Sequence, residues 1–395
     1  MDKYKNHGPL HFIILLIIPL FIICISDLGD SYYYDSIYDI ELNYCKKVIR
    51  DYLILQDSFP EGFDTITSPD LLLRSINEPY TYYVQPEKAD SVWNMYIQGN
   101  KETGIGITID TLNSKFVITD VVPNSHAYNI IFINDIITGI NNNMKIAEFS
   151  LDSMKNYLTG IENDSITLHI IRNSNSLDIT ILYKKYKKRS VNIKRITENP
   201  YLNIAYIQIE SFSDSTCITG GTKSEFREAL IQTNWANYTI LDLRGNKGGN
   251  IDQCMSVISN LIPVSKKLFY ISQRVNDTLT GTVQTVDSLW RVKEYSTLGQ
   301  NRKFFVLMDN NSMGETELLI YSLHLYRDDI ITIGKRSRGK ARIQTHFATV
   351  KGGIAVVTTG LVTPFSGSSF DNVGINPKIV SSHPLEAAII LMEGN

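Results

Sequence analysis

The stretch "KFFVLMDNNSMGETELLIYSLHLY" (residues 303–326) decides how the carboxyl-terminal half of the chain folds. Its first seven residues are a strand-like apolar run, and residues 318–326 are a helix-like run. The turn between them, "NSMGETE" (residues 311–317), is of the tight strand-to-helix type at which many hydrolases carry a nucleophile. Because Gly314 at its centre has no side chain, the turn raises the question of what would react there.

Strand-like and helix-like segments alternate on both sides of this turn, from residue 190 to residue 392. Alternation of this kind predicts an α/β domain built around a mixed sheet. The segments that carry the pattern are the strands "LNIAYIQI" (202–209), "YTILDLRG" (238–245), "KLFYISQ" (267–273) and "DIITIGK" (329–335), and the helices "KSEFREALIQT" (223–233) and "IDQCMSVISNLI" (251–262).

Two further regions precede this core. Residues 98–186 contain short strand-like runs, such as "GIGITID" (104–110) and "SITLHIIRN" (165–173), and predict a small β domain. Residues 30–97 include "SIYDIELNYCKKVIRDYLIL" (36–55), whose apolar residues recur at helical spacing, and predict a small helical cap. The fold class expected is therefore α/β (α+β) and multidomain.

Composition excludes some classes of partner. The 395 residues are 43% hydrophobic and 20% charged, which is typical of a globular chain with sizeable cores. A net charge of −3 gives no broad attraction to nucleic acid, and the short basic run "YKKYKKR" (183–189) is interpreted as a solvated strand end or linker. We therefore expect no nucleic-acid partner.

The first 29 residues are interpreted as an export segment. Lys3 and Lys5 precede an apolar run from Phe12 to Ile25, which is the pattern of a signal peptide, with an uncleaved membrane anchor as the alternative. Cys24 lies at the end of that run, where a bacterial lipoprotein carries its lipidated cysteine. The expected location is the bacterial periplasm or cell envelope, with membrane attachment through the segment or a lipid on Cys24.

Metal and cofactor sites are not indicated. Cys45, Cys217 and Cys254 are too widely spaced for a zinc site and are expected to be buried apolar residues, with one disulfide open as an alternative. The seven histidines include no H-E-x-x-H motif. We therefore predict no metal site and no cofactor.

Three segments of the core resemble the carboxyl-terminal processing peptidases, also called tail-specific proteases, which use a serine–lysine dyad. Two further segments match the same family in the right order. The five segments are "YTILDLRGNKGGN" (238–250), "FFVLMDNNSMGETELL" (304–319), "IGKRSRGKARIQT" (333–345), "NEPYTYYVQPE" (77–87) and "TPFSGSSFDNVGINPKIV" (363–380).

The small β domain resembles a PDZ domain, which family members carry before the core. The loop Gly104-Ile105-Gly106-Ile107 matches the loop whose backbone N–H groups receive the terminal carboxylate of a peptide that adds as a β-strand. Glycine suits that loop because a Cβ would crowd the approaching ligand. The resemblance implies that protein or peptide carboxyl termini are the partners.

The same resemblance assigns roles in the core. Lys340 corresponds to the general base, and Gln344 corresponds to the residue that orients its amine. A lysine acts as a base only when it is neutral, which burial favours. The backbone amides of Gly248, Gly249 and Glu315 are expected to be the oxyanion donors.

The nucleophile is missing from its expected place. When Glu317 is aligned with the last residue of the family pattern SASASE, Gly314 falls at the catalytic serine and Ser312 at the first, non-catalytic one. The favoured interpretation is an exported pseudopeptidase that keeps peptide binding but is catalytically impaired. The alternative is an active serine endopeptidase that uses Ser312 with Lys340. Arg336 and Arg338 around the lysine are a second departure from the family pattern.

Overall fold

The computed structural model describes residues 30–98, 101–196, 201–277 and 282–394. The helices are α1 (Asp30–Tyr52), α2 (Pro69–Ser75), α3 (Pro86–Gln98), α4 (Leu151–Asn156), α5 (Thr222–Gln232), α6 (Ile251–Leu261), α7 (Glu315–Tyr326) and α8 (Pro384–Glu393). The predicted export segment and Cys24 lie outside the described residues. Within the described ranges no helix is both long and apolar enough to cross a membrane.

The strands fall into four sheets. They are β1 (Tyr82–Val84), β2 (Lys101–Gly104), β3 (Ile107–Leu112), β4 (Lys115–Val121), β5 (Ile136–Ile140), β6 (Ser165–Arg172), β7 (Asn175–Leu182), β8 (Lys184–Lys187), β9 (Val191–Ile196), β10 (Ile204–Ile209), β11 (Tyr238–Asp242), β12 (Lys267–Asp277), β13 (Thr282–Arg291), β14 (Phe304–Met308), β15 (Ile331–Gly334), β16 (Arg342–Ala348), β17 (Ile354–Pro364) and β18 (Ile379–Val380).

The core is built on a six-stranded sheet in the order β18-β15-β14-β11-β10-β9. All of its neighbouring strands are parallel except β9, which pairs antiparallel with β10. Its strands are apolar on both faces because helices cover both: Leu241 packs in the cluster formed with α5, α6 and α7, whereas Ile240 packs in the cluster with α8. The predicted α/β fold class is confirmed.

A second sheet of the core is antiparallel and contains β1, β17, β12, β13 and β16. The sequence predicted one mixed sheet and missed β13, because most side chains of that strand are exposed and follow no apolar pattern. The amino-terminal region is helical as predicted, but it also contributes β1, which pairs with β17 of the core. Buried residues of α1, such as Ile49, pack against Ala355 and Val357 of β17.

The small β domain is an antiparallel sheet in the order β3-β4-β5-β6-β7. Its core contains Ile118, Ile140 and Leu168, together with Met154 of α4. Strand β3 lies at the edge of this sheet among the described residues. One short helix of this domain is α4 (Leu151–Asn156).

Cys45, Cys217 and Cys254 are buried as predicted and are free thiols. Burial raises the pKa of Cys45 and of Cys217 to about 12, and the pKa of the Cys254 thiol is also raised by burial. Because the thiolate is the reactive form, burial makes these thiols poorly reactive.

We therefore predict that iodoacetamide at pH 8 leaves these three cysteines unmodified in the folded protein, as measured by peptide mass spectrometry. The same treatment in guanidinium chloride is the control and labels all three. Fast labelling of any of them in the folded protein would contradict this packing.

Candidate active site

The turn at residues 311–317 joins β14 to α7 and faces the glycine-rich loop that follows β11. The Met313 N–H donates to the carbonyl of Asn246 at 3.0 Å, and the Thr316 hydroxyl donates to the same carbonyl at 3.1 Å. Asn246 is fully buried, and its side-chain amide donates to the Ile209 carbonyl at 2.9 Å. The turn and the loop are therefore fixed to each other and to the end of β10.

Gly314 has φ +63° and ψ −127°, a conformation that side-chain-bearing residues seldom adopt. Such a strained backbone is what presents a nucleophile above a strand-to-helix turn. An added Cβ would find its nearest neighbours at ordinary contact distance, 3.5 Å from the Lys247 carbonyl oxygen and 3.8 Å from the Gly248 Cα. Position 314 thus keeps the backbone and the open space of a nucleophile position without the hydroxyl.

Ser312, the alternative nucleophile, is fully buried. Its Oγ donates to the Leu243 carbonyl at 2.9 Å and accepts the Asp309 N–H at 3.0 Å, with Asp309 Oδ1 at 3.2 Å. These bonds hold the entry of the turn against the end of β11. They occupy the hydroxyl with backbone partners and keep it away from solvent.

Lys340 lies just before β16 and is half-buried. Its Nζ donates to Gln344 Oε1, and Gln344 Nε2 donates to the Tyr80 carbonyl at 2.6 Å. Burial lowers the pKa of Lys340, and the charges of Glu315, Glu78 and Glu317 oppose that shift. The predicted lysine and glutamine are thus brought together, and burial favours the neutral amine that a general base requires.

The amino-terminal region supplies part of this pocket. The Tyr80 ring centroid lies 5.0 Å from Lys340 Nζ. Arg342 bonds Glu78 Oε1 at 2.6 Å and also pairs with Asp371 at 2.9 Å, which joins the segment before β1 to β16. In the sequence, "NEPYTYYVQPE" only supported the family resemblance. It did not predict that Tyr80 contacts Lys340 and Gln344.

Glu317 connects the turn to the lysine segment. Its Oε1 accepts the Ser337 hydroxyl at 2.5 Å and the Gly339 N–H at 2.6 Å, and its Oε2 accepts the Lys340 N–H at 2.7 Å and the Gly314 N–H at 3.2 Å. Burial raises the pKa of Glu317, and these donors oppose that shift. In the sequence, Glu317 served only to anchor the alignment with the family pattern, and these donors were not predicted.

The predicted oxyanion donors lie beside Gly314, but two of them are engaged. The Gly248 N–H donates to Asn246 Oδ1 at 2.9 Å, and the Gly249 N–H donates to Glu315 Oε2 at 2.8 Å. Both glycines have positive φ, +92° and +144°, which explains why glycine is needed there. The sequence indicated the Glu315 amide but not that its carboxylate turns back onto this loop.

The predicted peptide-binding loop, Gly104 to Ile107, belongs to the small β domain and is buried throughout. The Ile105 N–H donates to the Leu158 carbonyl at 3.0 Å, and the Gly106 carbonyl accepts the Val122 N–H at 2.8 Å. A Cβ on Gly106 would lie 2.1 Å from the Ser125 Cβ. The glycine therefore permits close packing of this loop, and one of its amides already has a partner within the domain.

The arrangement in the core is that of a hydrolase scaffold in which a lysine would activate a hydroxyl at the strand-to-helix turn. Comparison with known proteins makes the class specific. Residues 203–381 match the model of peptidase family S41, and residues 94–171 match the PDZ domain model. The core therefore carries an S41 peptidase domain, and a PDZ domain precedes it.

Two relatives named as proteases match most of the chain. A carboxy-terminal-processing protease of Bartonella bacilliformis is 25% identical over 332 residues, which cover 81% of this chain and 72% of the relative. A CtpA-like serine protease of Staphylococcus aureus N315 is 24% identical, over 87% of this chain and 64% of the relative. The chain therefore spans slightly less than two thirds of that second relative.

The fold similarity extends over nearly the whole chain. A crystal structure of a candidate S41 protease from Bacteroides fragilis NCTC 9343 superposes with a TM-score of 0.54 at 17% identity. It covers 89% of this chain and 97% of the other.

We predict that Glu317→Gln lowers the free energy of unfolding by about 3 kcal/mol, because an amide cannot accept from all four donors and leaves buried N–H groups unpaired. Urea denaturation followed by circular dichroism measures the loss.

The matched control is Glu386→Gln, since Glu386 holds the same third position of helix α8 but is exposed. Its expected effect is within about 0.5 kcal/mol of zero. Equal losses in the two variants would contradict the role assigned to the Glu317 network.

Proposed function

We propose that this protein is a catalytically impaired member of the S41 family that binds protein carboxyl termini through its PDZ domain. Gly314 is the observation that carries the proposal. The backbone there has the conformation of a nucleophile turn, with φ +63°, but no side chain to attack a carbonyl. Without the nucleophile, only substrate binding and oxyanion stabilisation remain to accelerate hydrolysis.

The surroundings of Ser312 support the same proposal. Its hydroxyl lies two residues from the expected position and is held by Leu243 and Asp309. A misplacement of about 1 Å costs roughly a hundredfold in rate, and re-aiming Ser312 would also leave the Asp309 N–H without its partner. Ser312 is therefore a turn residue rather than a replacement nucleophile in this proposal.

Peptide binding is supported by the edge position of β3. A strand at a sheet edge offers backbone groups to which an extended peptide adds, and α4 packs beside β3. The preceding loop, Gly104 to Ile107, would receive the carboxylate through the amides that are not already bonded. Export to the periplasm or cell envelope, through the amino-terminal segment, is part of the proposal.

We predict that the purified wild-type protein does not hydrolyse an unfolded substrate with an apolar carboxyl terminus above the uncatalysed rate, as measured by mass spectrometry of the products. Ser312→Ala is expected to behave in the same way. Cleavage by the wild type that disappears in Ser312→Ala would overturn the proposal in favour of an active endopeptidase.

For the PDZ domain, we predict that fluorescence anisotropy detects binding of a labelled peptide with an apolar, free carboxyl terminus. The matched control is the same peptide with a carboxyl-terminal amide, which should bind at least about tenfold more weakly, because the loop amides then lose a charged acceptor. Equal binding of the two peptides would contradict capture of the carboxylate.

A further inference from the structure

Glu315 is the first residue of α7 and directly follows the nucleophile position. Its side chain does not extend into solvent but folds back over the glycine-rich loop, where Oε2 accepts the Gly249 N–H at 2.8 Å. A Cβ built on Gly248 would lie 2.3 Å from that oxygen, so the carboxylate rests directly against the Gly248 backbone. A negatively charged side chain therefore lies on the loop that faces position 314.

This contact uses the amide that acyl transfer would need. A tetrahedral intermediate carries its negative charge on an oxygen that must be met by preorganised N–H donors at about 3 Å. The family pattern predicts that the Gly249 N–H is one of these donors, and its acceptor here is Glu315 Oε2. Because Glu315 already occupies this N–H, a developing oxyanion would lose one hydrogen bond there.

The same carboxylate acts on the lysine. Glu315 is the largest of the charges that raise the pKa of Lys340 against the lowering effect of burial. The other groups that face the amine are Glu78, Glu317 and Tyr80, and His346 also interacts with Lys340 electrostatically. Glu315 thus favours the protonated amine, which cannot accept a proton from a hydroxyl.

We propose that Glu315 is a second block on hydrolysis: its carboxyl group occupies the expected oxyanion donor at Gly249 and lies against the backbone of Gly248. The block rests on the proposed loss of the nucleophile and adds to it. A serine at position 314 is then not sufficient for activity. The Glu315 side chain must also be removed from the Gly249 N–H.

The test uses the full chain and a fluorophosphonate probe, with labelling rates measured by intact-protein mass spectrometry. In a variant that carries Gly314→Ser, the introduced hydroxyl oxygen forms the bond to phosphorus, fluoride leaves, and Lys340 accepts the hydroxyl proton. We expect Gly314→Ser alone to label slowly. Gly314→Ser combined with Glu315→Ala should label about 100-fold faster, which is the effect of gaining one oxyanion donor.

Two further variants distinguish the effect of occupying the Gly249 N–H from the effect of the Glu315 charge. Gly314→Ser with Glu315→Gln removes the charge but keeps a carbonyl that accepts from Gly249, so it should label at an intermediate rate. Gly314→Ser with Glu386→Ala removes an exposed first-turn glutamate of α8 and should label like Gly314→Ser alone. The pH midpoint of labelling should fall when Glu315 is replaced, because Lys340 then loses an opposing charge.

Glu315→Ala with Gly314 intact gives a readout that needs no nucleophile. Amide hydrogen exchange of Gly249 should become at least about tenfold faster than in the wild type, since its acceptor is gone. The inference is overturned if Gly314→Ser labels as fast as the double variant, or if Gly249 exchange does not change. Labelling or hydrolysis by the wild type would instead overturn the proposed function.

Discussion

The rest of this site depends on the hydrogen bonds that the buried Glu317 side chain accepts. This side chain accepts from the backbone of Gly314, at the start of α7, and from Ser337, Gly339 and Lys340, which come from the segment between β15 and β16. The Arg338 N–H, which donates to the Ser312 carbonyl at 3.1 Å, joins the same two segments. Because a buried carboxylate is stable only when its oxygens have donors, the fold of the turn and the position of the lysine backbone are determined together.

The hydrogen bonds that build the site are formed without a hydroxyl at position 314. The positive-φ backbone of Gly314, the Lys340–Gln344 pair and the glycine-rich loop are all present, although position 314 carries no hydroxyl. Ser312 cannot be aimed at a substrate without breaking the bonds that anchor the turn to Leu243 and Asp309. The proposed binding protein therefore keeps the family fold. Hydrogen bonds hold its core site in place, and in our proposal Glu315 occupies one of the expected oxyanion donors.

Much of the fold was predictable from the sequence because it follows apolar periodicity. The strand, turn and helix at residues 303–326 and the alternation around them correspond to β14, α7 and their neighbours. Strand β13 was missed because its exposed face gives no pattern, and β1 was missed because three residues are too few to show alternation. Pairing of β1 with β17 depends on contacts between residues far apart in the chain.

The site was predictable only as a set of positions. The order of the motifs predicted the positions of Gly314, Lys340 and Gln344. The direction of the Glu315 side chain and the contact of Tyr80 with Lys340 depend on tertiary packing. Glu317 served only to anchor the alignment, although three of its four donors, in Ser337, Gly339 and Lys340, come from 20 to 23 residues away in sequence. Sequence spacing carries no information about such contacts until the two segments are folded together.

The central claim is that one carboxylate holds the two halves of the site, and native-state hydrogen exchange by NMR tests it most directly. The account predicts that the amides of Gly314, Gly339 and Lys340 are protected to the same degree as the amide of Val306 in β14, because all three donate to Glu317. Free exchange at Gly339 or Lys340, while Val306 stays protected, would contradict it.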